Sequence, residues 1–295
     1  MKTVTLSIIL SLLIAIGYAQ DEHAPYYKIA DLDGSVTTHV DKVISELKAA
    51  DFEVIGQYNP EKKDHLFVIA YTRTDLQDLC LKFEDRGALA ATLKIGFVEK
   101  DGKTTISMLN PLYLFYAYLL ENANTYEKEF IKISTDAVNA MKSIGTVLTP
   151  FGGLESKKDL QKYRYKIMMP YFTSPVKLNE FSSFEEGLRI IRANLAKQKR
   201  GTLKVYEQIF ENEKIAVFGV GLHDAEDGEL RFLPKIGESH IAAMPYELIL
   251  QGNKATMLHG KYRIALHWPE LTMGTFMKIM STPGNIKDFM KDLTK

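Results

Sequence analysis

Four of the seven histidines, His223, His240, His259 and His267, lie in the second half of this 295-residue chain. Imidazole can ligate a metal or move a proton near neutral pH, so their spacing is the first thing to weigh. No two of them stand at the i, i+4 separation of a helical zinc site, and Cys80, the only cysteine, does not join them. A metal site is therefore not expected, and no cofactor is. The segments His223-Asp224 and His267-Trp268-Pro269-Glu270 could still contribute to one site if the fold brought them together. That would be an extracytoplasmic hydrolase with its centre at a seam, built from His223, His240 or His267. Against it, the chain has no Gly-x-Ser-x-Gly nucleophile turn, no Walker phosphate loop and no Gly-x-Gly-x-x-Gly. Phe218-Gly-Val-Gly221 carries two glycines, but at the end of a strand, where close packing or a bulge accounts for them. The acidic pairs Glu185-Glu186 and Glu211/Glu213 read as solvated positions, not as a glycosidase pair.

Aromatic side chains offer a binding chemistry instead. Tyr113, Phe115, Tyr116 and Tyr118 crowd one short apolar segment, and Trp268 sits at a comparable junction later in the chain. Core packing is the favoured reading, because such side chains bury large areas. The functional alternative is an apolar cleft between two units that accepts a small molecule or lipid. Arg263, His267 and Trp268 are the candidate ligand-binding residues. Read as a strand, this segment puts Arg263 and His267 on one parity, opposite Tyr262, Ile264, Leu266 and Trp268.

The elements that must position these groups repeat. In the first half, Val40, Val43, Ile44 and Leu47 recur at helical spacing, and Phe52 to Tyr58 and Leu66 to Tyr71 read as strands. Leu93 to Leu109 is a hairpin turning at Asp101-Gly102, a pair that tolerates positive φ. Pro111 then opens a helix through Leu120, and Tyr126 to Leu148 continues as a further helix. In the second half a strand is expected around Lys166 to Phe172, and a helix from Phe184 to Gln198. Strands follow at Leu203 to Phe210 and Ile215 to Leu222. Ala242-Ala243 opens a second hairpin, Tyr246 to Gln251 with Tyr262 to Trp268, as Ala90-Ala91 opens the first. The order of parts is the same twice, which implies duplication.

The segment from Leu89 to Pro111, with its Asp101-Gly-Lys-Thr104 turn and closing Asn110-Pro111, resembles the C-terminal hairpin of domain of unknown function family 302. The first copy has Ala91 where that family usually has Pro; the second has Pro245 nearby but Trp268-Pro269 in place of Asn-Pro. The resemblance implies a β-α-β(4)-α unit of the TATA-box-binding-protein-like class, a curved antiparallel sheet with helices on one face. It implies no catalytic residues, and likeness to a DNA-binding fold transfers no function. The expected fold is thus α+β, two tandem β-α-β(4)-α units with curved antiparallel sheets and helices packed on one face.

Location and partners follow from the ends and the charge. Lys2, the apolar run Val4 to Ile16 and the small residues Gly17 and Ala19 form an export signal, with cleavage expected between Ala19 and Gln20. The expected divisions are 1–19 signal peptide, 20–150 first unit with a C-terminal helical segment, and 151–295 second unit. No later stretch is apolar enough to span a bilayer, so no stable span is expected after cleavage. Thirty-seven basic side chains balance 37 acidic ones, which argues against a nucleic-acid partner. With 46% apolar residues, burial must supply the stability that a lone cysteine cannot supply as a disulfide. Cys80 belongs to the helical face Leu76-Leu79-Cys80-Phe83 and reads as a buried apolar residue. The reading that results is a periplasmic or secreted protein, a non-enzymatic binding or envelope-interaction module. Its partner would be a small apolar ligand or an envelope protein.

Overall fold

The computed structural model describes residues 22–146 and 148–295; the segment expected as an export signal, with its expected cleavage site, lies outside the described residues. Two sheets carry the fold. The first unit runs β1 (Glu22–His23), β2 (Tyr26–Asp33), α1 (Val36–Ala49), β3 (Glu53–Tyr58), β4 (Leu66–Thr72), α2 (Thr74–Cys80), β5 (Leu93–Lys100), β6 (Lys103–Leu109) and α3 (Pro111–Leu119). Helix α4 (Glu127–Ala140), β7 (Thr149–Phe151), β8 (Glu155–Ser156) and α5 (Lys157–Leu160) lead onward. The second unit runs β9 (Val176–Glu180), α6 (Phe184–Ala196), β10 (Thr202–Phe210), β11 (Ile215–Leu222), α7 (Leu233–Ile236), β12 (Tyr246–Gln251), β13 (Lys254–Met257) and α8 (Gly260–His267). Helices α9 (Met273–Met277) and α10 (Thr282–Leu293) close the chain.

The strand orders are β3-β4-β5-β6-β2-β7 and β10-β11-β12-β13-β9, all antiparallel. Position by position these are one topology used twice, with β7 added to the outer edge of the first copy. Two tandem β-α-β(4)-α units are therefore present, each a multistranded antiparallel sheet with helices on one face. Apolar alternation explains the buried faces: Val36, Val40, Val43 and Leu47 of α1 and Phe184, Ile191 and Leu195 of α6 all point into the core. Central strand β11 is buried along its whole length. Among the described residues, no helix is long and apolar enough to cross a membrane.

The units meet through related features. Edge strands β3 and β10 run against one another, and each carries a bulge at the contact, between Val54 and Gly56 and between Lys204 and Tyr206. A Cβ on Gly56 would lie 2.5 Å from the Val205 carbonyl oxygen, so only glycine allows this approach. Helices α3 and α8 also exchange bonds across the seam. Tyr113 Oη donates to the Leu266 carbonyl at 2.8 Å, and Tyr262 Oη donates to the Ala117 carbonyl at 3.0 Å. Tyr113 and Tyr262 occupy the same place after their helix caps, as do Ala117 and Leu266. The two bonds are one bond made twice by a pseudo-twofold relation.

Three expectations need correction. The second hairpin returns along Lys254–Met257, and the segment expected as its strand, Tyr262 to Trp268, is helix α8 with its C-cap. The counterpart of Asn110-Pro111 is accordingly His259-Gly260. Asn110 Oδ1 accepts from Leu112 N at 3.1 Å, and His259 Nδ1 accepts from Lys261 N at 3.2 Å, the same N-cap made by different residue types. The strand that opens the second unit is Val176–Glu180, not Lys166 to Phe172. The helix expected from Tyr126 to Leu148 ends at Ala140, and Thr149–Phe151, across the expected division at 150/151, pairs with β2.

Candidate functional site

Helix α8 organises the candidate site because its two faces do different things. Tyr262, Arg263, Leu266 and His267 turn towards the seam, while Lys261, Ile264, Ala265 and Trp268 share the other face at helical spacing. Arg263 and His267 do lie on one side together, as strand parity had them, but that side is the interior. Both are 1% exposed, and Trp268 is 2% exposed.

Inside, a charge cluster bridges the units. Lys94 Nζ of β5 contacts Glu247 Oε1 of β12, and Arg263 Nε donates to Glu247 Oε2 at 3.1 Å. Arg263 Nη2 also donates to the carbonyls of Ala243 and Pro245, the latter at 2.6 Å, beside the cis Met244–Pro245 peptide. The guanidinium lies 3.9 Å above the centre of the Tyr246 ring, a desolvated cation–π contact. Tyr206 Oη reaches Glu247 Oε1 at 3.4 Å. One carboxylate thus serves two cations in a closed interior. Burial lowers the pKa of Lys94, the Arg263 charge adds to that, and Glu247 opposes it. For Arg263 burial is the largest single effect and lowers the pKa, but Glu247 with Tyr246, Tyr118 and Tyr26 together outweigh it and raise the pKa.

The histidines separate into two places. Tyr26 Oη donates to the His267 carbonyl at 3.0 Å and lies 3.2 Å from its Nδ1; Tyr118 Oη lies 3.4 Å from Nε2. Tyr118 and His267 hold equivalent places in α3 and α8, so this contact sits on the pseudo-twofold relation. Burial holds His267 well below the usual histidine pKa, with the Arg263 and Lys94 charges adding to it, so the ring is neutral. His240 packs edge-on to Tyr26, 5.0 Å between ring centres, and stacks on Trp268 at 5.8 Å. Burial lowers its pKa to about 4. His223 is elsewhere, with Nε2 3.1 Å from the Asn59 carbonyl and its ring stacked on Tyr58. The fold therefore gathers His240 and His267 around Tyr26 and leaves His223 apart. His259 is spent on its cap.

Outside α8 is an apolar cleft of about 210 Å³. Its floor is Ile264, Ala265 and Trp268, and its walls are Leu271 and Phe276 on one side and Tyr165 on the other. Lys166 and Lys261, both exposed, are the charged groups among its lining residues. The walls are tied together: Tyr163 Oη donates to the Ala265 carbonyl at 2.8 Å, and Tyr165 Oη to the Leu271 carbonyl at 3.2 Å. A second, more polar cleft of about 340 Å³ shares Trp268 and Leu271 and includes His240, Glu270, Thr272 and Thr275. Of the three residues expected to meet a ligand, Trp268 lines both clefts, and Arg263 and His267 stand behind it. Among the described residues, no group of three or more His, Cys, Asp or Glu side chains is placed to hold a metal ion.

Sequence reasoning missed Lys94 and Glu247. The available signal was one charged residue near the start of the first strand of each hairpin, Leu93-Lys94-Ile95 and Tyr246-Glu247-Leu248, opposite in sign. It also missed Glu229, a fully buried carboxyl at the other end of the seam. Tyr58 Oη donates to it at 3.2 Å, and the backbone N–H groups of Glu61 and Leu222 each donate at 3.0 Å. Burial nevertheless raises its pKa to about 7.

No family model matches the chain, and no curated protein matches it. Among solved structures it is similar to an uncharacterized conserved protein of domain of unknown function family 302 from Bacillus stearothermophilus. The identity is 15% and the TM-score 0.32, over 40% of this chain and 94% of that one. The likeness is weak and partial, short of a two-domain or TATA-box-binding-protein-like identification.

Proposed function

We propose that this chain is an exported, non-enzymatic binding module for a small amphipathic anion. The apolar body of the ligand lies beside Trp268, and its charged head meets Lys166 and Lys261. The cleft carries this reading: an apolar floor and walls, held by two tyrosine hydrogen bonds, with lysines as the charged lining groups. A volume of about 210 Å³ suits a ring or a short acyl chain better than a large metabolite. The buried cluster supports the same view from the other side. Lys94, Glu247, Arg263 and His267 line neither cleft, which favours a structural role for them over a hydrolytic one. We read each unit as a copy of a module resembling domain of unknown function family 302, on the shared order of elements and the Asp101-Gly-Lys-Thr104 turn. Export rests on the apolar run Val4 to Ile16 and the small residues before Gln20.

Trp268 is the only tryptophan, so its fluorescence reports the two clefts that it lines without interference from other indoles, and a substitution confined to the apolar cleft tells them apart. Titration with decanoate is expected to shift its emission saturably. Ala265→Phe, which fills the floor, should abolish the response, and Lys261→Glu should weaken it, both with unchanged far-UV circular dichroism. A response that is absent in the native chain, or equal in Ala265→Phe, would sink the reading.

A further inference from the structure

The mouth of the cleft continues into an apolar patch that is left exposed among the described residues. Ile167 is 83% exposed and Met168 93%, on the loop between α5 and β9. Met273, Met277 and Met280 are each about half exposed or more. Met273 and Met277 lie four residues apart on one face of α9, and Met273 and Ile167 line the same cleft, so loop and helix present their apolar groups together. Exposed apolar groups gathered at one place mark an interaction surface.

The two segments that carry the patch hold charges of one sign, with Glu270, and Glu155 and Asp159 beside Arg164, as the acids at its rim. Residues 160–175 and 271–287 contain no Asp or Glu. Arg164, Lys166, Lys261 and Lys278 form no ion pair among the described residues. Two of them lie along aromatic rings: Arg164 sits 4.9 Å from the centre of Tyr171, and Lys166 sits 5.2 Å from that of Tyr165. Long cationic stems laid on tyrosines, beside flexible apolar side chains, combine an apolar body with a polar tip at a water–hydrocarbon boundary.

We propose that this patch docks the protein on an anionic lipid surface. The methionines and Ile167 enter the acyl boundary, the four cations meet acidic headgroups, and the mouth of the cleft faces the bilayer. A basic patch with a modest apolar area gives reversible attachment, neither a span nor an anchor. The docking does not depend on the cleft having a ligand; it depends on Ile167, Met168 and the cations.

The test places an environment-sensitive NBD dye at Met168→Cys, with Lys48→Cys on exposed α1 as the control; native Cys80 is fully buried and does not compete for label. Full-length chain is mixed with vesicles of phosphatidylcholine alone or with one third phosphatidylglycerol. The expected result is a blue shift at position 168 on the anionic vesicles, with position 48 silent, even if the unlabelled termini also touch lipid. Reversing Lys166 and Lys278 together to Glu should weaken the apparent affinity by at least about 25-fold, from roughly fivefold per cation removed. Equal shifts at both positions, no shift at 168, or no effect of charge reversal would overturn the proposal. A blue shift at 168 that grows with protein concentration without vesicles would overturn it too, in favour of a second copy covering the patch. Loss of the decanoate response with the vesicle response intact would leave this inference standing and remove only the cleft reading.

Discussion

Replacing Glu247 by Gln keeps the shape of the side chain and removes the carboxylate that faces both Lys94 and Arg263. The two cations are left in an interior where Lys94 is 4% exposed and Arg263 is 1% exposed. Breaking a buried ion pair from one side costs about 3–5 kcal/mol, because the orphaned charge keeps its desolvation penalty. Against a total stability of roughly 5–15 kcal/mol, that is a large fraction. At about 2–4 °C per kcal/mol for units of this size, the melting temperature should fall by roughly 6–20 °C. The direction with pH follows from Lys94, whose pKa is lowered by burial and by Arg263 and supported by Glu247. Without the carboxylate it drops further, so the folded chain binds fewer protons than the unfolded one up to the ordinary lysine value of 10.5. Stability of Glu247→Gln should therefore recover relative to the native chain as pH rises from about 7 towards that value. Adding Lys94→Met to Glu247→Gln removes one orphan and should restore a large part of the loss. The assay is urea unfolding followed by Trp268 fluorescence and circular dichroism, at pH 7 and pH 9.5. If Glu247→Gln lies within about 1 kcal/mol of the native chain and gains nothing from Lys94→Met, the cluster does not hold the units together as argued.

Other expectations follow from single contacts. Tyr113→Phe and Tyr262→Phe each strip a partner from a carbonyl in the last turn of α8 or α3. Each should cost about 1 kcal/mol, with similar values for the two, and a large inequality in urea midpoints would speak against the pseudo-twofold seam. Glu229 has a folded pKa of about 7 against 4.5, so the folded chain holds a proton that the unfolded chain releases; stability should fall by about 3 kcal/mol as pH rises from 4.5 through 7. Glu229→Gln should make that slope shallower but not abolish it, because burial also raises the pKa of neighbouring Glu61 to about 7; an unchanged slope in denaturant titrations from pH 4.5 to 8 would show that Glu229 carries none of it. His240 acts in the opposite direction. Its pKa of about 4 means that protonation favours the unfolded chain, so stability is lost as pH falls from 6.5 towards 4, and His240→Gln should remove that part of the acid sensitivity in melting curves.

Much of the fold was legible in the sequence because local patterns and tertiary packing agree there. Asp101-Gly102 turns where both residues take positive φ, and the repeated order of helix and strands reappears as one strand order used twice. The second copy misled at its last strand. Tyr262 to Trp268 alternates well enough to pass for a strand, and His259-Gly260 gives no Pro signal for a helix start, yet His259 caps as Asn110 does. Periodicity over seven residues does not separate a strand from two turns of a fully buried helix. The site was half legible for the same reason. Trp268 marks the cleft, but Arg263 and His267 face inward once the segment is helical. Lys94 and Glu247 were invisible as partners because their pairing crosses the seam, and no local pattern encodes a contact between residues so far apart in sequence. The cleft itself depends on the loop at 165–169 folding over α8, which nothing in that loop's composition announces.

Native mass spectrometry of the chain purified gently from its own cells tests the binding reading most directly. The expected result is a population heavier by a single small lipidic anion, of a mass suited to about 210 Å³ and absent from Ala265→Phe prepared in the same way. A bare mass for the native chain, unchanged after addition of decanoate, would contradict it.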